Sequence, residues 1–291
     1  MCGRYASTKA AVDIAEEFHA VDATGDAAPG PDYNVAPTKP VLAVVQRHPR
    51  GAEGNVDETR TERSVRVVRW GLVPSWAKDA SGGSRLINAR AETAADKPSF
   101  RAALAARRCL LPADGWYEWR RGGGAKQPFF ITGATAAARG GSLAMAGIWE
   151  FWRSPDGGEP LVTAAVLTTD AVGPLADIHP RMPLLLAAED WAAWLDPDGE
   201  APASLLRAPS DAVVAGLELR PVSAMVNNVR NEGPELLARA ELAEPVLALD
   251  LPTEPTATEP TEPTEPAGPT GHTERTERTA ALAAGRSGAG R

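Results

Sequence analysis

"LAMAGIWEFWR" at positions 143–153, followed by "LVTAAVLTTDA" at 161–171, reads as a pair of strands. "GWYEW" (115–119) and "PFFIT" (128–132) ahead of them read the same way, giving four β-rich runs in succession. "KPVLAVVQRH" (39–48) and "SVRVVRWGLV" (64–73) add two more, on either side of a Gly/Glu/Arg-rich loop from Arg50 to Arg63. Helical spacing is confined to short segments. "TKAAVDIAEEFHA" (8–20) carries it through Val12, Ile14, Ala15 and Phe18. "KPSFRAALAARRCLL" (97–111) starts with Pro98 near a plausible cap and reads as a helix throughout. "AAEDWAAWLD" (187–196) is a short helix with Trp191 and Trp194 on one face. Runs of strands with helices between some of them predict an α+β fold rather than a doubly wound parallel sheet.

From Leu251 the chain changes character to "LPTEPTATEPTEPTEPAGPTGHTERTERTAALAAGRSGAGR". A repeating T-E-P triplet with almost no bulky apolar residue cannot offset its chain entropy, so residues 251–291 are expected to be disordered and residues 2–250 to form one domain. The formal charge is −8, of which the tail's six Glu and four Arg contribute −2, leaving −6 for the rest. Any contact with nucleic acid must then come from a local arginine patch, not from global attraction. No uninterrupted apolar run of about 18 residues predicts a membrane span. No basic stretch followed by an apolar run predicts a secretory signal. Two cysteines, Cys2 and Cys109, and four histidines, His19, His48, His179 and His272, give no CxxC or HxxxH spacing, so no metal and no cofactor is expected. No Gly-rich phosphate loop of dinucleotide or P-loop type is present. Few cysteines and no signal point to the cytoplasm, where Cys2 stays a free thiol.

Several constellations carry chemistry. "MCGRY" places Cys2 directly behind Met1, and a small second residue permits removal of the methionine. A chain beginning at Cys2 carries an amine and a thiol on neighbouring carbons. If "GWYEW" is a strand, Trp116 and Glu118 share one face, with Tyr117 and Trp119 on the other. A carboxylate beside an indole on an apolar face has its protonated form favoured, which suits a general acid–base. "GIWEFW" repeats the pattern at Glu150, and spacing does not decide between the two glutamates. His179 in "DIHPRMP" lies in a rigid turn beside the fixed charge of Arg181. "LINARAE" points Asn88, Arg90 and Glu92 the same way if it is extended. "YNVAPT" (Asn34, Pro37) and "SAMVNNVRNEGPEL" (Asn227, Asn228, Asn231) read as asparagine-rich turns. Trp76 in "GLVPSWAKD" offers a stacking surface for a base if it is exposed.

Together "MCGRY", "YNVAPT", "RWGLVPSWA", "INARAET", "CLLPADGWYEW", "PFFI", "MAGIWE", "TTDA", "IHPRMP" and "VNNVRNEGPEL" resemble, in order from Met1 to about Leu237, the SOS-response-associated peptidase (SRAP) family of abasic-site processing proteins. The resemblance implies a single α+β domain with a distorted antiparallel β core and peripheral helices. It also implies a positively charged groove for single-stranded DNA and a covalent cross-link to abasic sites through the N-terminal cysteine. Carried residue by residue, it makes Cys2 the nucleophile, Asn88 the positioning amide, Glu118 the acid–base carboxylate and His179 the assisting histidine. DNA contacts fall to Arg4, Asn34, Pro37, Trp76, Arg90 and Arg181. A second aromatic beside the first, present in some relatives, is here Ala77. The expected partner is single-stranded DNA containing abasic sites, met by a cytoplasmic monomer that associates with the nucleoid when bound. Weak strand cleavage through a Schiff base is a side activity of that chemistry. The alternatives are a cysteine-dependent peptidase acting on itself or in trans, with Cys2 as nucleophile and His179 as base, and a non-catalytic single-strand-binding module.

Overall fold

Val41–Val45 is apolar at every position, and a strand of that kind must be buried on both faces. A computed structural model, which describes residues 2–51, 53–120, 126–134 and 140–241, shows how. In chain order it runs β1 (Tyr5–Ser7), α1 (Ala11–Glu17), β2 (Val21–Asp22), β3 (Asp32–Val35), β4 (Pro40–Arg47) and β5 (Glu62–Trp70). There follow β6 (Asn88–Arg90), α2 (Arg101–Ala106), β7 (Arg108–Ala113), β8 (Gly115–Arg120) and β9 (Gln127–Gly133). The rest is β10 (Leu143–Trp152), β11 (Leu161–Asp170), β12 (Arg181–Pro183), α3 (Trp191–Leu195), α4 (Asp211–Ala215) and β13 (Leu217–Pro221). This is the expected α+β class. The tail expected to be disordered lies outside the described residues, as does His272.

The strands form two sheets. The smaller, β13-β9-β8-β1-β3, is antiparallel throughout. The larger runs β12-β11-β10-β7-β4-β5-β2, with β6 attached to β11. It is mixed rather than antiparallel, because β2–β5, β5–β11 and β6–β11 pair in parallel. The β5–β11 contact is short, Thr163 opposite Arg69 and Ala164 opposite Trp70, yet it closes β4, β5, β11, β10 and β7 into a ring. Helices α1, α2 and α3 can lie only outside a closed ring, and they pack with Leu42, Val44, Leu110, Ala146 and Ile148. The alternate residues Val41, Ala43, Val45, Cys109 and Leu111 therefore face inward, in a cluster that also holds Cys2 and Trp116. The interior is tight: a Cβ added at Gly147 would lie 2.9 Å from Cys109 Sγ.

Two helical expectations need correction. In α1 the buried face is Ala11, Ile14, Ala15 and Phe18, while Val12 is 62% exposed. Phe18 stacks on Trp191 at 4.3 Å, joining α1 to α3. The helix expected over 97–111 stops at Ala106, and Arg108–Leu111 is the start of β7, which runs between β10 and β4. Arg108 explains the stop. Its buried guanidinium donates to the carbonyls of Leu104 (2.9 Å), Ala105 (2.6 Å), Trp194 (2.7 Å), Gly199 (2.7 Å) and Asp196. Those of Leu104, Ala105, Trp194 and Asp196 are carbonyls at the ends of α2 and α3 that helix geometry leaves without partners. Arg108→Ala should thus lower unfolding free energy by about 3 kcal/mol, since several buried acceptors lose their donor at once. Urea unfolding checks this, with a shifted midpoint and an unchanged slope as the expected result. Among the described residues, no helix is long and apolar enough to cross a membrane.

Candidate active site at the amino terminus

β1 is short, but it is an interior strand of the smaller sheet, between β8 and β3. Tyr5 pairs with Trp116 on one side and Val35 on the other, and the Tyr117 amide donates to Arg4 O at 2.9 Å. Continuing that register sets Glu118 opposite Gly3, beside Cys2. The period-two reading of "GWYEW" holds: Trp116 packs in the cluster of Cys2, and Tyr117 packs with Phe130 and Val222 on the opposite face. Tyr5 then meets Trp70 edge-on at 5.1 Å, fixing this end of the chain against the ring.

Three of the four expected catalytic residues converge here. Cys2 is fully buried, and its thiol lies 4.0 Å from Arg4 O. Asn88 Nδ2 donates to Cys2 O at 2.7 Å. The amide holds the backbone of the cysteine, not its sulfur. β6 delivers Asn88 by pairing with β11, Asn88 opposite Val166. Burial pushes the Cys2 thiol up, the charge of Glu118 adds to that, and the amino-terminal charge and the Arg4 carbonyl contact oppose it. Burial likewise raises the Glu118 carboxyl to about 7, against the pull of the positive amino terminus. Of the two glutamates, Glu118 is the one whose charge acts on Cys2. Glu150 is ion-paired with Arg107 at 2.8 Å. Asn88 Oδ1 and Trp116 Nε1 are buried without hydrogen-bond partners among the described residues, so the site holds an acceptor and a donor to spare.

His179 arrives on a separate segment, a 3₁₀ turn at Gly173–Asp177 that leads into β12. Leu175 and Ile178, both shortly before it, pack in the cluster of Cys2. The Arg181 amide donates to His179 Nδ1 at 3.0 Å, which fixes the ring against its own turn.

The residues expected to touch DNA divide into two groups. Trp76 is 66% exposed, so it is no core tryptophan. Arg90 is exposed at the end of β6, and Pro37 is part-buried in the β3–β4 turn, just before Thr38 with φ 75°. The other three are engaged within the protein. Asn34 is not turn chemistry but a fully buried strand residue. Its Nδ2 donates to Asn228 O and Asn231 O, both at 3.0 Å, clasping the asparagine-rich turn. Arg4 Nη1 donates to Asn34 Oδ1 (2.6 Å) and Val226 O (3.0 Å). Arg181 is paired with Glu92 (2.8 Å) and Asp170 (2.6 Å) and donates to Thr168 O (2.6 Å). Sequence reasoning left out Tyr5 and Trp70. Each is an aromatic inside a quoted motif, "MCGRY" and "RWGLVPSWA", with nothing in the spacing to say that they meet.

Fold and site define a protein whose Cys2 is buried with the inward residues of a β ring, its carbonyl held by Asn88, near a Glu118 carboxyl that burial raises to about 7. Residues 1–229 match the family described as SOS response associated peptidase (SRAP). The chain belongs to the SRAP family. It is 37% identical over 240 residues to Abasic site processing protein YoqW of Bacillus subtilis, covering 81% of this chain and 99% of that one. It is 36% identical to Abasic site processing protein HMCES of Gallus gallus, covering 74% of this chain and 68% of that one. A crystal structure of a Bacteroides thetaiotaomicron protein shares the fold, with a TM-score of 0.66 at 24% identity over 82% of this chain and 100% of that one.

Proposed function

We propose that this chain captures abasic sites in single-stranded DNA as a covalent thiazolidine on Cys2, once Met1 has been removed, acting as a cytoplasmic monomer. The names of its relatives support abasic-site processing. The observation that carries the chemistry is Glu118, a buried carboxyl near pH 7 beside a cysteine whose backbone Asn88 holds. An abasic deoxyribose opens to an aldehyde at C1′. The Cys2 amine, with a reference pKa of about 8, is partly neutral at physiological pH and adds to that carbon. The carbinolamine loses water to give an imine, Glu118 supplying the proton to the departing hydroxyl. The thiol sulfur then adds to the same carbon, its proton passing to nitrogen, and a five-membered ring closes. The net change is loss of one water. His179 assists opening and closing of the sugar.

The raised thiol pKa favours this amine-first order over the peptidase alternative, which needs a thiolate at the outset. Diversion of the imine by β-elimination would cleave the strand, and ring closure suppresses that route. In the DNA path, Trp76 stacks a base, and Arg90 and Pro37 lie along the strand. Asn34, Arg4 and Arg181 shape the groove through their internal contacts. Trp76→Ala should weaken single-strand binding by about 1–3 kcal/mol, the usual worth of one stacked base, with no change in melting temperature. Fluorescence anisotropy of a labelled oligonucleotide checks it. The proposal itself is tested by incubating the purified protein with single-stranded DNA holding one abasic site. The expected product resists denaturation, and its mass is the sum of the two less one water. Absence of that species, or turnover of an unrelated peptide by Cys2, would overturn the proposal.

A further inference from the structure

The ring opens on its far side into a cleft of about 760 Å³, lined in part by Arg47, Arg50, Arg66 and Arg153 with Trp149 and Phe151. It lies where β5 and β11 part: they pair only through Arg69–Trp70 and Thr163–Ala164, and Arg66 and Val162 come before that contact. Asn88, which touches Cys2, pairs with Val166 on β11, four residues from the Val162 that lines the cleft. At about 3.3 Å per residue the two places are roughly 13 Å apart. None of the candidate catalytic or DNA-contacting residues lines the cleft.

Among the described residues none of the four arginines makes a salt bridge, whereas Arg107, Arg181, Arg220 and Arg239 all do. Arg66 Nε donates to Ser64 Oγ at 3.1 Å, Arg50 Nη1 makes only a 3.5 Å contact with Gly54 O, and Arg153 lies over the Phe151 ring at 5.3 Å. Arg47 is pulled down by burial and then by repulsion from Arg66 and Arg50, with only Glu62, opposite it across β4–β5, acting the other way. Like charges gathered in a concave place, with no salt-bridge partner among the described residues, favour an anion that would satisfy several at once. The aromatic wall adds a surface for a planar ring, and the volume falls in the range of small-ligand sites.

We infer that this cleft is a second ligand site, for a nucleotide, with phosphate held by Arg47, Arg50 and Arg66 and the base against Trp149 and Phe151. The nucleotide is either free or part of a DNA strand that continues from the Cys2 site. The inference does not depend on the covalent chemistry.

Calorimetry on the full chain at low salt, with dATP, inorganic phosphate and deoxyadenosine as separate probes, tests it. dATP should bind at least about tenfold more tightly than either of the others, as expected when phosphate and ring contacts combine. The double substitution Arg47→Ala/Arg66→Ala should weaken dATP by at least about tenfold. Phe151→Ala should weaken dATP but not phosphate. Melting temperature shows that the variants are folded, and Cys2→Ala should bind dATP normally, which separates this site from the proposed cross-linking. The source is read from adduct formation with abasic oligonucleotides of short and long flanks. Faster capture with long flanks, lost in the double variant, assigns the strand. Capture independent of flank length, with dATP still bound, assigns the free nucleotide. Binding of dATP no tighter than phosphate, or undiminished in the folded double variant, overturns the inference.

Discussion

Cys2→Ala should abolish the denaturation-resistant adduct and leave one that borohydride can trap. The amine that forms the imine belongs to the backbone of residue 2 and survives the substitution; the sulfur that closes the ring does not. The imine formed by the variant hydrolyses or eliminates, so the variant should show more strand cleavage per binding event than the wild type. External thiol at millimolar concentration should not rescue it. An attached and oriented thiol acts at an effective concentration of roughly 10⁵–10⁸ M, which no solute matches. The fold is expected to persist, since removing one buried sulfur leaves only a small cavity. Denaturing gels with and without borohydride read the outcome. A stable adduct in Cys2→Ala would show that another nucleophile carries the reaction. Adding one residue before Cys2 should have the complementary effect, since amine and thiol then no longer share a residue.

Glu118→Gln should slow adduct formation by roughly 10²–10⁴-fold, the usual scale for a positioned proton donor, and remove one limb of the pH profile. The wild-type carboxyl titrates at about 7. Its acid form is lost as pH rises through that value, while the neutral amine gains towards about pH 8. The wild-type rate should peak between the two, and the Gln variant should keep only the rising amine limb. Parallel profiles in the two proteins would exclude Glu118 as the donor. Stability should move the other way. The folded carboxyl titrates at about 7 and the unfolded one at 4.5, so below 4.5 both states hold the proton and the burial penalty is absent. The penalty grows as pH rises from 4.5 to 7 and is complete above, about 3 kcal/mol at about 1.4 kcal/mol per unit. Glutamine never ionises. The variant should equal the wild type at pH 4 and exceed it at pH 8 in chemical denaturation.

What the sequence revealed depended on the range of the interaction. β4 and β5 were legible because Val41–Val45 and Val65–Val68 carry their own β signal. The i, i+2 relation of Trp116 and Glu118 needs only one strand, so their shared face was legible too. α2 was overextended because Ala-rich "RAALAA" runs without a break into Arg108, and only the distant carbonyls of Trp194, Asp196 and Gly199 reveal that this arginine ends a helix. Closure of the ring rests on pairs about 94 residues apart in sequence and short in extent, Thr163 with Arg69 and Ala164 with Trp70, which no local pattern signals. The site divides in the same way. The motifs marked Cys2, Asn88, Glu118 and His179, but Asn34 read as a turn residue because its partners at 226–231 are nearly two hundred positions away.

The interior place of β1 in its sheet also has a temporal side. This strand is made before its partners: its neighbour β8 extends to Arg120 and the turn that Asn34 clasps is at 226–231. At 5–20 residues per second the clasp is made on the order of tens of seconds after the N-terminus emerges. Until then the segment around Cys2 has no completed sheet to enter; afterwards Cys2 is fully buried. The sheet that holds Cys2 is thus completed late in synthesis, because an interior strand near the start of the sequence waits for partners far downstream.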